Sequence, residues 1–306
     1  MFLDKIKFYS KNLAKKSDVD ILKNAIGHLC VQDLRRRRDS IQTINDAEFR
    51  IYSQWGEDGI ICYLIESIPI KNKFFVEFGV ENYEESNTRF LLTYYNWRGL
   101  IIDSNERYIK QIKSSEIYWR YDLKAINAFI TKDNINDILK KNMTFDDIGL
   151  LSIDIDGMDY WVWEKIDVIK PRILICEYNA LFGYKKAIVV PYCNDFNRFK
   201  AHYSGLYFGA SLKALVTLSK KKGYIFVGCN KNGNDAFFIR NDIKGNLKEV
   251  SIEEGYKPML ARQSRDINGN LTYISGIEQI DLIKDLKVYD LEKEIIVSIS
   301  EILNYL

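Results

Sequence analysis

The chain has 306 residues, 47% of them hydrophobic, which is enough for a large core in one α/β domain with appendages or in two domains. Lys plus Arg (44) nearly balance Asp plus Glu (42), so net charge gives no argument for a nucleic-acid partner or an anionic membrane. The five cysteines are scattered and never spaced CxxC, which argues against a disulfide framework or a zinc site. No segment approaches the ~18 apolar residues of a membrane span, and charges interrupt the N-terminal segment, so we expect a soluble, cytoplasmic protein.

The chain divides into a polar helical start and a regular alternation of short apolar runs with helical segments. Residues 1–50 have a helical pattern and form a predicted N-terminal extension, and a turn over Ser53–Gly59 precedes a predicted buried helix over 60–65. We predict strands over 74–79, 99–103, 116–121, 149–155, 172–178, 224–228 and 235–239. Helices are predicted over 86–95, 106–113, 132–141, 159–167 and 210–222.

This alternation indicates an α/β fold, a Rossmann-like doubly wound seven-stranded sheet over residues 51–240 with an antiparallel edge hairpin. The connection between Tyr178 and Ala210, of about thirty residues, is long for a compact domain and is typical of a lid or substrate wall. Residues 241–306 form a predicted α/β C-terminal appendage. It contains a hairpin turn at Asn268–Gly269 and a terminal amphipathic helix from Leu282 onward, suited to core packing or dimerisation.

Two of the apolar runs end in carboxylates. Glu77 and Gly79 end the first strand and Asp103 ends the second, so we expect them at one crevice, since ligands bind at the carboxyl ends of strands in such sheets. An acid at the end of the second strand suits the two hydroxyls of a ribose. The turn after the first strand carries Glu81 in place of a GxGxxG pattern, and its acids would repel a pyrophosphate. The crevice therefore favours a cofactor with a positive centre, such as S-adenosylmethionine.

A second group of polar residues follows the fourth and fifth strands. Period-two geometry places Asp154 and Asp156 on the same side of the fourth strand, with Asp159 opening the next helix. The fifth strand ends in Glu177 and Asn179, which would face them. Oxygen ligands that converge in this way fit a hard cation such as Mg²⁺, which could lower the pKa of a hydroxyl being alkylated. A hydrogen-bonding cluster without metal fits the same residues, and both interpretations stay open.

His202 lies in the long connection over the predicted crevice. Its ordinary pKa near neutrality makes it a candidate general base for a sugar hydroxyl, with a structural role in the loop as the alternative. If the base lies elsewhere, Asp154 and Asp156 are the candidates. Substrate contacts are predicted for a set of polar and aromatic residues in or beside the connection, namely Tyr178, Asn179, Tyr203 and Tyr207.

Between residues 50 and 240 the sequence resembles FkbM-like S-adenosylmethionine-dependent methyltransferases, class I Rossmann-like enzymes common in sugar and surface-polysaccharide gene clusters. The stretches that carry the resemblance are Ser53–Gly59, Phe75–Val80, Glu85–Thr88, Trp97–Asp103, Ser152–Gly157 and Glu177–Asn179. Glu81 stands where a second glycine is frequent in the family. The carboxylates of the fourth and fifth strands also look like the metal ligands of catechol-type and macrolide-sugar O-methyltransferases.

The resemblance implies a set of cofactor contacts. The residues at the methionine end would be Gln54, Glu77, Gly79, Asn87 and Thr88. Asp103 would hold the ribose, with Ser104 beside it, and Asp122 would contact the adenine.

The implied function is an O-methyltransferase that acts on a sugar hydroxyl, with a nucleotide-linked sugar for a capsule or lipopolysaccharide as the expected acceptor. One alternative is an NAD-dependent sugar oxidoreductase or epimerase, against which the missing GxGxxG counts. Another is a catalytically silent Rossmann scaffold, against which the clustered carboxylates count. The expected partner is a small-molecule substrate and not nucleic acid, and formation of a homo-oligomer is left open.

Overall fold

A computed structural model of the protein describes residues 16–302. Its strands are β1 (Phe74–Phe78), β2 (Arg98–Asp103), β3 (Leu123–Asn127), β4 (Asp147–Ile153), β5 (Lys170–Glu177), β6 (Ile188–Val189), β7 (Tyr224–Cys229), β8 (Asp235–Arg240), β9 (Lys287–Asp290) and β10 (Ile295–Ser298). Its α-helices are α1 (Lys16–Arg36), α2 (Glu57–Ser67), α3 (Arg89–Thr93), α4 (Glu106–Lys113), α5 (Glu116–Arg120), α6 (Ile135–Asn142), α7 (Asp159–Lys165), α8 (Arg198–Ala201), α9 (Leu212–Lys221), α10 (Ile252–Gly255), α11 (Ile277–Ile283) and α12 (Ile299–Ile302). Short 3₁₀ helices cover Arg38–Ser40, Ile44–Ala47, Ala180–Phe182 and Asn241–Ile243.

The central sheet has seven strands in the order β3-β2-β1-β4-β5-β8-β7. Strands β1 to β5 pair in parallel, whereas β8 lies antiparallel between β5 and the edge strand β7. Both the predicted Rossmann-like sheet and its antiparallel edge hairpin are confirmed. Because successive side chains point to opposite faces, Phe75 packs with Ile60 of α2 on one face while Val76 packs with Trp163 of α7 on the other.

Two predicted elements are wrong. The segment 116–121 was predicted as a strand, but Glu116–Arg120 is a helix, and the third strand begins at Leu123. An ion pair between Glu116 and Arg120, one helical turn apart, supports this helix, and Trp119 in its middle is 73% exposed, unlike a residue of a central strand. The next apolar residues along the chain form β3 instead.

The terminal segment was predicted as one amphipathic helix, but the structure has the hairpin β9–β10 between two short helices. The segment forms strands because β9 also pairs with β6, a strand in the long connection after β5. The resulting sheet, in the order β10-β9-β6, ties the appendage to that connection. The predicted turn at Asn268–Gly269 is present between the bridged residues Arg265 and Leu271. Residues 303–306 of the predicted helix lie outside the described residues.

The N-terminal extension is helical over Lys16–Arg36, as predicted, and its first 15 residues lie outside the described part. Among helices within residues 16–302, none is long and apolar enough to cross a membrane.

Gly79, directly after β1, lies where the chain passes closest to the end of β4. Its φ is +71°, a conformation that favours glycine, and a Cβ added there would overlap the backbone carbonyl oxygen of Asp154. A glycine at this position therefore allows the ends of β1 and β4 to meet.

We expect Gly79→Ala to lower the free energy of unfolding by clearly more than the roughly 1 kcal/mol of an alanine at positive φ alone. Gly223 is the matched control, since its φ is +82° and nothing lies within 4 Å of an added Cβ. Urea denaturation of both variants gives the comparison. Equal losses would contradict the close approach.

Candidate active site

A cavity of about 880 Å³ opens at the carboxyl ends of β1, β2, β4 and β5. This is the edge of the sheet at which the sequence predicted a crevice. The structure brings together most of the predicted site residues in its lining, namely Gln54, Glu77, Gly79, Asn87, Asp103, Ser104, Asp154, Asp156 and Glu177.

The buried carboxylate of Glu77 organises the loop that leads into α3. It accepts hydrogen bonds from the Ser86 hydroxyl at 2.6 Å, from the N–H of Asn87 at 2.9 Å and from the N–H of Thr88 at 3.2 Å. The Thr88 hydroxyl also donates to it. Burial raises the pKa of Glu77, and the bonds oppose that shift. Thr88 is completely buried behind Glu77 and, unlike Asn87, does not line the cavity.

The turn before α2 presents Gln54 and Trp55 to the cavity. Asp58 fixes this turn, since one of its oxygens accepts the N–H groups of residues 51, 52 and 53 at 2.7, 2.7 and 2.8 Å. Glu57 accepts the N–H of Trp55 at 2.9 Å and that of Gly56 at 3.0 Å. Both acids of the predicted turn are therefore structural, a role that the sequence pattern did not reveal.

Asp103 joins the ends of β1 and β2. One of its oxygens accepts the N–H of Glu81 at 2.8 Å and the other accepts the N–H of Asn105 at 2.7 Å. Glu81 has a φ of +46°, which is unusual for a residue with a side chain, and its carboxylate lines the cavity. Burial raises the pKa of Asp103 and of Glu81, and neighbouring acids raise the pKa of Glu81 further.

Three carboxylates converge at the ends of β4 and β5. One oxygen each of Asp154, Asp156 and Glu177 lies within 4.8 Å of the others. Among the described residues, the Oε2 atom of Glu177 is buried without a hydrogen-bond partner. Burial and the charge of Asp156 raise the pKa of Asp154 well above its usual range, and burial and Asp154 do the same for Glu177. The cluster therefore favours the uptake of a cation or of protons.

Arg198 is the cation next to this cluster, and sequence reasoning missed it. Its guanidinium donates to Asp156 at 2.7 Å and to the Gly205 carbonyl at 2.9 Å, and lies 4.0 Å from the ring centroid of Phe208. Asp159, the first residue of α7, holds the turn before the helix, because it accepts the N–H groups of Ile155 and Gly157 at 2.8 and 2.9 Å. No pattern in the sequence connects position 198 with the end of β4.

Asn179 and Tyr178 do not reach the cavity. Asn179 is buried, starts the 3₁₀ helix Ala180–Phe182, and donates from its side chain to the carbonyls of Leu206 and Phe208 at 2.9 and 3.0 Å. Its amide is thus committed to the backbone and is not part of the carboxylate cluster. The hydroxyl of Tyr178 donates to the Lys257 carbonyl at 2.5 Å, on the core side of β5.

His202, Tyr203 and Tyr207 also lie outside the lining of the cavity. The Nδ1 atom of His202 lies 2.7 Å from the Ser204 hydroxyl, and its ring lies against that of Tyr203 with centroids 4.3 Å apart. Burial lowers the pKa of His202. The hydroxyl of Tyr207 donates to the carbonyl of Lys287 in β9. The connection passes over the sheet, but these side chains serve its own packing.

Asp122 lies at the opposite edge of the sheet from the cavity. It precedes β3 at the amino end of the strand, is exposed, and has its carboxylate 4.0 Å from the guanidinium of Arg98. The family resemblance implied an adenine contact for Asp122, which directly follows the strand predicted over 116–121. Because the real strand starts at Leu123, Asp122 lies at the wrong end of it to contact an adenine in the cavity.

A further part of the cavity wall comes from the long connection after β5, predicted to be a lid or substrate wall, and from the C-terminal appendage, for which no functional role was predicted. Phe199 contributes from α8, and the C-terminal appendage contributes Arg262, Arg265 and Leu271. These residues follow no recognisable motif, and only the tertiary structure brings them to the strand ends.

No family model and no curated protein matches the sequence. Among solved structures, the chain is similar to the N-terminal domain of EvdMO1 with S-adenosylhomocysteine bound (9% identity, 68% of this chain and 94% of that one covered, TM-score 0.38). It is also similar to the O-methyltransferase from Bacillus cereus (12%, 76% and 94%, TM-score 0.36) and to TrmK from M. capricolum (13%, 63% and 73%, TM-score 0.36), both in complex with S-adenosylhomocysteine. With TM-scores below 0.5, these similarities carry no argument about activity.

Proposed function

We propose that the protein is an S-adenosylmethionine-dependent O-methyltransferase that acts on a hydroxyl of a sugar. The observation that carries the proposal is the acidic cofactor side of the cavity, where Asp103 ends β2 and Glu81 follows β1. The remaining acceptor capacity of Asp103 suits the two ribose hydroxyls. Glu81 and its neighbours suit the sulfonium and the ammonium of the cofactor, because a positive ligand relieves the repulsion among buried acids.

The same geometry argues against a dinucleotide cofactor. A Rossmann dehydrogenase binds the pyrophosphate at the N-terminus of the helix after β1. Here α3 begins only at Arg89, and the N–H groups of Asn87 and Thr88 before it already bond to Glu77. A catalytically silent scaffold is also disfavoured, because an unpartnered buried oxygen such as Glu177 Oε2 is costly without a ligand to satisfy it.

For the chemical step we propose in-line transfer of the methyl group. The acceptor oxygen attacks the methyl carbon, the carbon–sulfur bond breaks, S-adenosylhomocysteine leaves, and the hydroxyl proton passes to Asp154. A carboxylate whose pKa is raised by burial is better matched to this proton transfer than an ordinary one. Since His202 does not line the cavity, the role of general base goes to Asp154, and Arg198 holds Asp156 beside it. Alignment of the two reactants supplies much of the rate.

As an alternative to proton acceptance by Asp154, the three converging carboxylates fit a divalent cation such as Mg²⁺. Their spacing within 4.8 Å, together with the unpartnered Glu177 Oε2, supports a set of Asp154, Asp156 and Glu177, without Asn179. When bound, such a cation would lower the pKa of the acceptor hydroxyl.

For the acceptor we propose a nucleotide-linked sugar that is methylated in the cytoplasm on its way to a capsule or lipopolysaccharide. The support for this choice is the resemblance of six stretches, which include Ser53–Gly59 and Ser152–Gly157, to enzymes of sugar and surface-polysaccharide gene clusters.

Asp103→Ala should weaken S-adenosylhomocysteine binding by about 1.5–3 kcal/mol, the scale of charge-assisted hydrogen bonds. Asp122→Ala is the matched control, since Asp122 is an exposed acid at the opposite edge of the sheet and should leave binding unchanged. Titration calorimetry on folded variants gives both affinities.

In the wild type, S-adenosylhomocysteine should raise the Tm and NADH should not. The reverse pattern would overturn the proposed cofactor.

Asp154→Asn should lose on the order of 10²- to 10⁴-fold in turnover, the usual contribution of a general base. His202→Ala should stay near the wild-type rate and keep the acidic limb of the pH–rate profile. Both rates can be measured with labelled S-adenosylmethionine once an acceptor is in hand. A large loss of turnover in His202→Ala, with little loss in Asp154→Asn, would identify His202 as the general base.

Glu177→Gln should raise the free energy of unfolding at pH 8 more than at pH 5. In the wild type the folded state holds the Glu177 proton more tightly than the unfolded chain does. The contribution of this proton to the free energy of unfolding is therefore fully present below the ordinary glutamate pKa. It falls, by at most about 1.4 kcal/mol per pH unit, as pH rises toward the raised pKa. Urea denaturation at the two pH values measures the effect.

The exposed Glu253, for which the structure gives no ion pair within residues 16–302, supplies the control variant Glu253→Gln. If the carboxylates hold Mg²⁺, the ion should raise the Tm of the wild type and of this control but not that of Glu177→Gln. Identical Mg²⁺ shifts in all three proteins would contradict the cation site.

A further inference from the structure

We infer that the acceptor carries a phosphate group, which Arg262 and Arg265 bind at the part of the cavity wall that the C-terminal appendage supplies. The inference rests on the proposed function in one respect, because it takes the phosphate-containing ligand to be the methyl acceptor. Arginine suits this role because its planar fork of N–H donors matches phosphate oxygens.

The acidic and basic residues that line the cavity come from different parts of the chain. Every lining carboxylate comes from positions up to Asp235, at the strand ends and the turns next to them, whereas Arg262 and Arg265 lie beyond it in the appendage. The third lining cation, Arg198, is paired with Asp156. A ligand that fills this cavity thus meets carboxylates of the sheet and its turns, and two arginines of the appendage.

Both arginines have N–H donors that are not paired with another described residue. Arg262 is exposed and has no hydrogen bond or ion pair with another described residue. Arg265 donates to the Gly269 carbonyl at 2.8 Å and has no ion pair with any residue between 16 and 302. A cofactor with a sulfonium and an ammonium offers them no anion apart from its carboxylate, which leaves their charge for the acceptor.

The wall that carries these arginines is held in place. The N–H of Leu260 bonds to the Asn232 carbonyl at 2.9 Å, and the N–H of Arg265 bonds to the Ser204 carbonyl at 3.2 Å. The hydroxyls of Ser264 and Thr272 lie 2.6 Å apart across the base of the turn. The guanidinium groups are therefore presented from a tethered hairpin, which lowers the entropic cost of binding an anion.

Phe199 supplies an apolar surface next to this charge. Its ring is 51% exposed, lines the cavity, and lies 5.8 Å from the guanidinium of Arg265. An aromatic ring in this position can stack on a nucleobase or on a sugar ring. Phosphate at the arginines and a ring at Phe199 are the chemistry of a nucleoside diphosphate sugar, and a simple sugar phosphate shares the phosphate part.

The test is calorimetric titration of the whole protein with uridine diphosphate, glucose 1-phosphate and uridine. We expect the two phosphate compounds to bind, more weakly as NaCl is raised, and uridine alone to bind far less. Arg262→Gln and Arg265→Gln should each weaken phosphate binding by about tenfold or more. Arg262 is the primary variant because, with no partner in the described chain, its loss cannot unfold the hairpin.

Arg98→Gln is the matched control. Arg98 lies with Lys71 and Lys73 around a shallow depression at the opposite edge of the sheet, so it reports non-specific attraction of anions to basic surface. This variant should bind uridine diphosphate like the wild type. Phe199→Ala should weaken uridine diphosphate more than glucose 1-phosphate if the acceptor is nucleotide-linked, and both alike if it is a sugar phosphate.

The outcomes separate this inference from the proposed function. If S-adenosylhomocysteine binds but neither phosphate compound does, or if Arg262→Gln binds both as the wild type does, the phosphate site is wrong and the methyltransferase proposal stands. If the phosphate compounds bind through the arginines and S-adenosylhomocysteine does not bind, the phosphate site stands and the proposed cofactor is wrong. Arg262→Gln should leave the affinity for S-adenosylhomocysteine unchanged.

Discussion

The buried carboxylate of Glu77 is the interaction on which the rest of the site depends. It ends β1 and gathers donors from Ser86, Asn87 and Thr88, so it fixes the loop between the strand and α3. It also satisfies N–H groups that would otherwise be available to an anion at the start of that helix. One residue thereby shapes the proposed cofactor side of the cavity and occupies N–H groups that a dinucleotide-binding fold would offer to a phosphate.

The second constraint is the accumulation of negative charge at the strand ends. Parallel strands place their carboxyl ends at one edge, so acids that follow β1, β2, β4 and β5 come together whatever their distance in sequence. Burial of such acids is unfavourable unless they are protonated or paired. Arg198 compensates only part of this charge, and the raised pKa values of Asp154 and Glu177 reflect the remainder. The acids at the strand ends therefore favour protonation or a cationic ligand.

The strand ends could be predicted from the sequence because they depend on local patterns. Continuous apolar runs that stop at Glu77, Asp103 and Asp154 mark buried parallel strands, and the fold rule then places the acids in one crevice. The segment 116–121 was misassigned because a short apolar run fits a helix as well as a strand. The C-terminal hairpin was missed because β9 forms against β6, about a hundred residues earlier in the chain, and such a partner leaves no local signal.

Residues on loops were predicted least well, and the reason is again physical. His202 and Tyr203 have the chemistry of site residues, but the direction of a loop side chain is set by contacts such as the His202–Ser204 bond, which no periodicity encodes. Conversely, Arg198 and Arg262 look like ordinary surface charges in the sequence and become site residues only through the path of the chain.

Strands and loops supply different parts of the cavity, and this difference affects specificity. The cofactor side is built from strand ends and from turns that are locked by Glu77, Asp58 and Asp103, so a change there disturbs the fold as well as the binding. The proposed acceptor side comes from α8 and from residues 262–271 of the appendage, which lie outside the central sheet. Substitutions at Phe199 or Arg262 can therefore alter which acceptor binds while the sheet and the cofactor side stay intact.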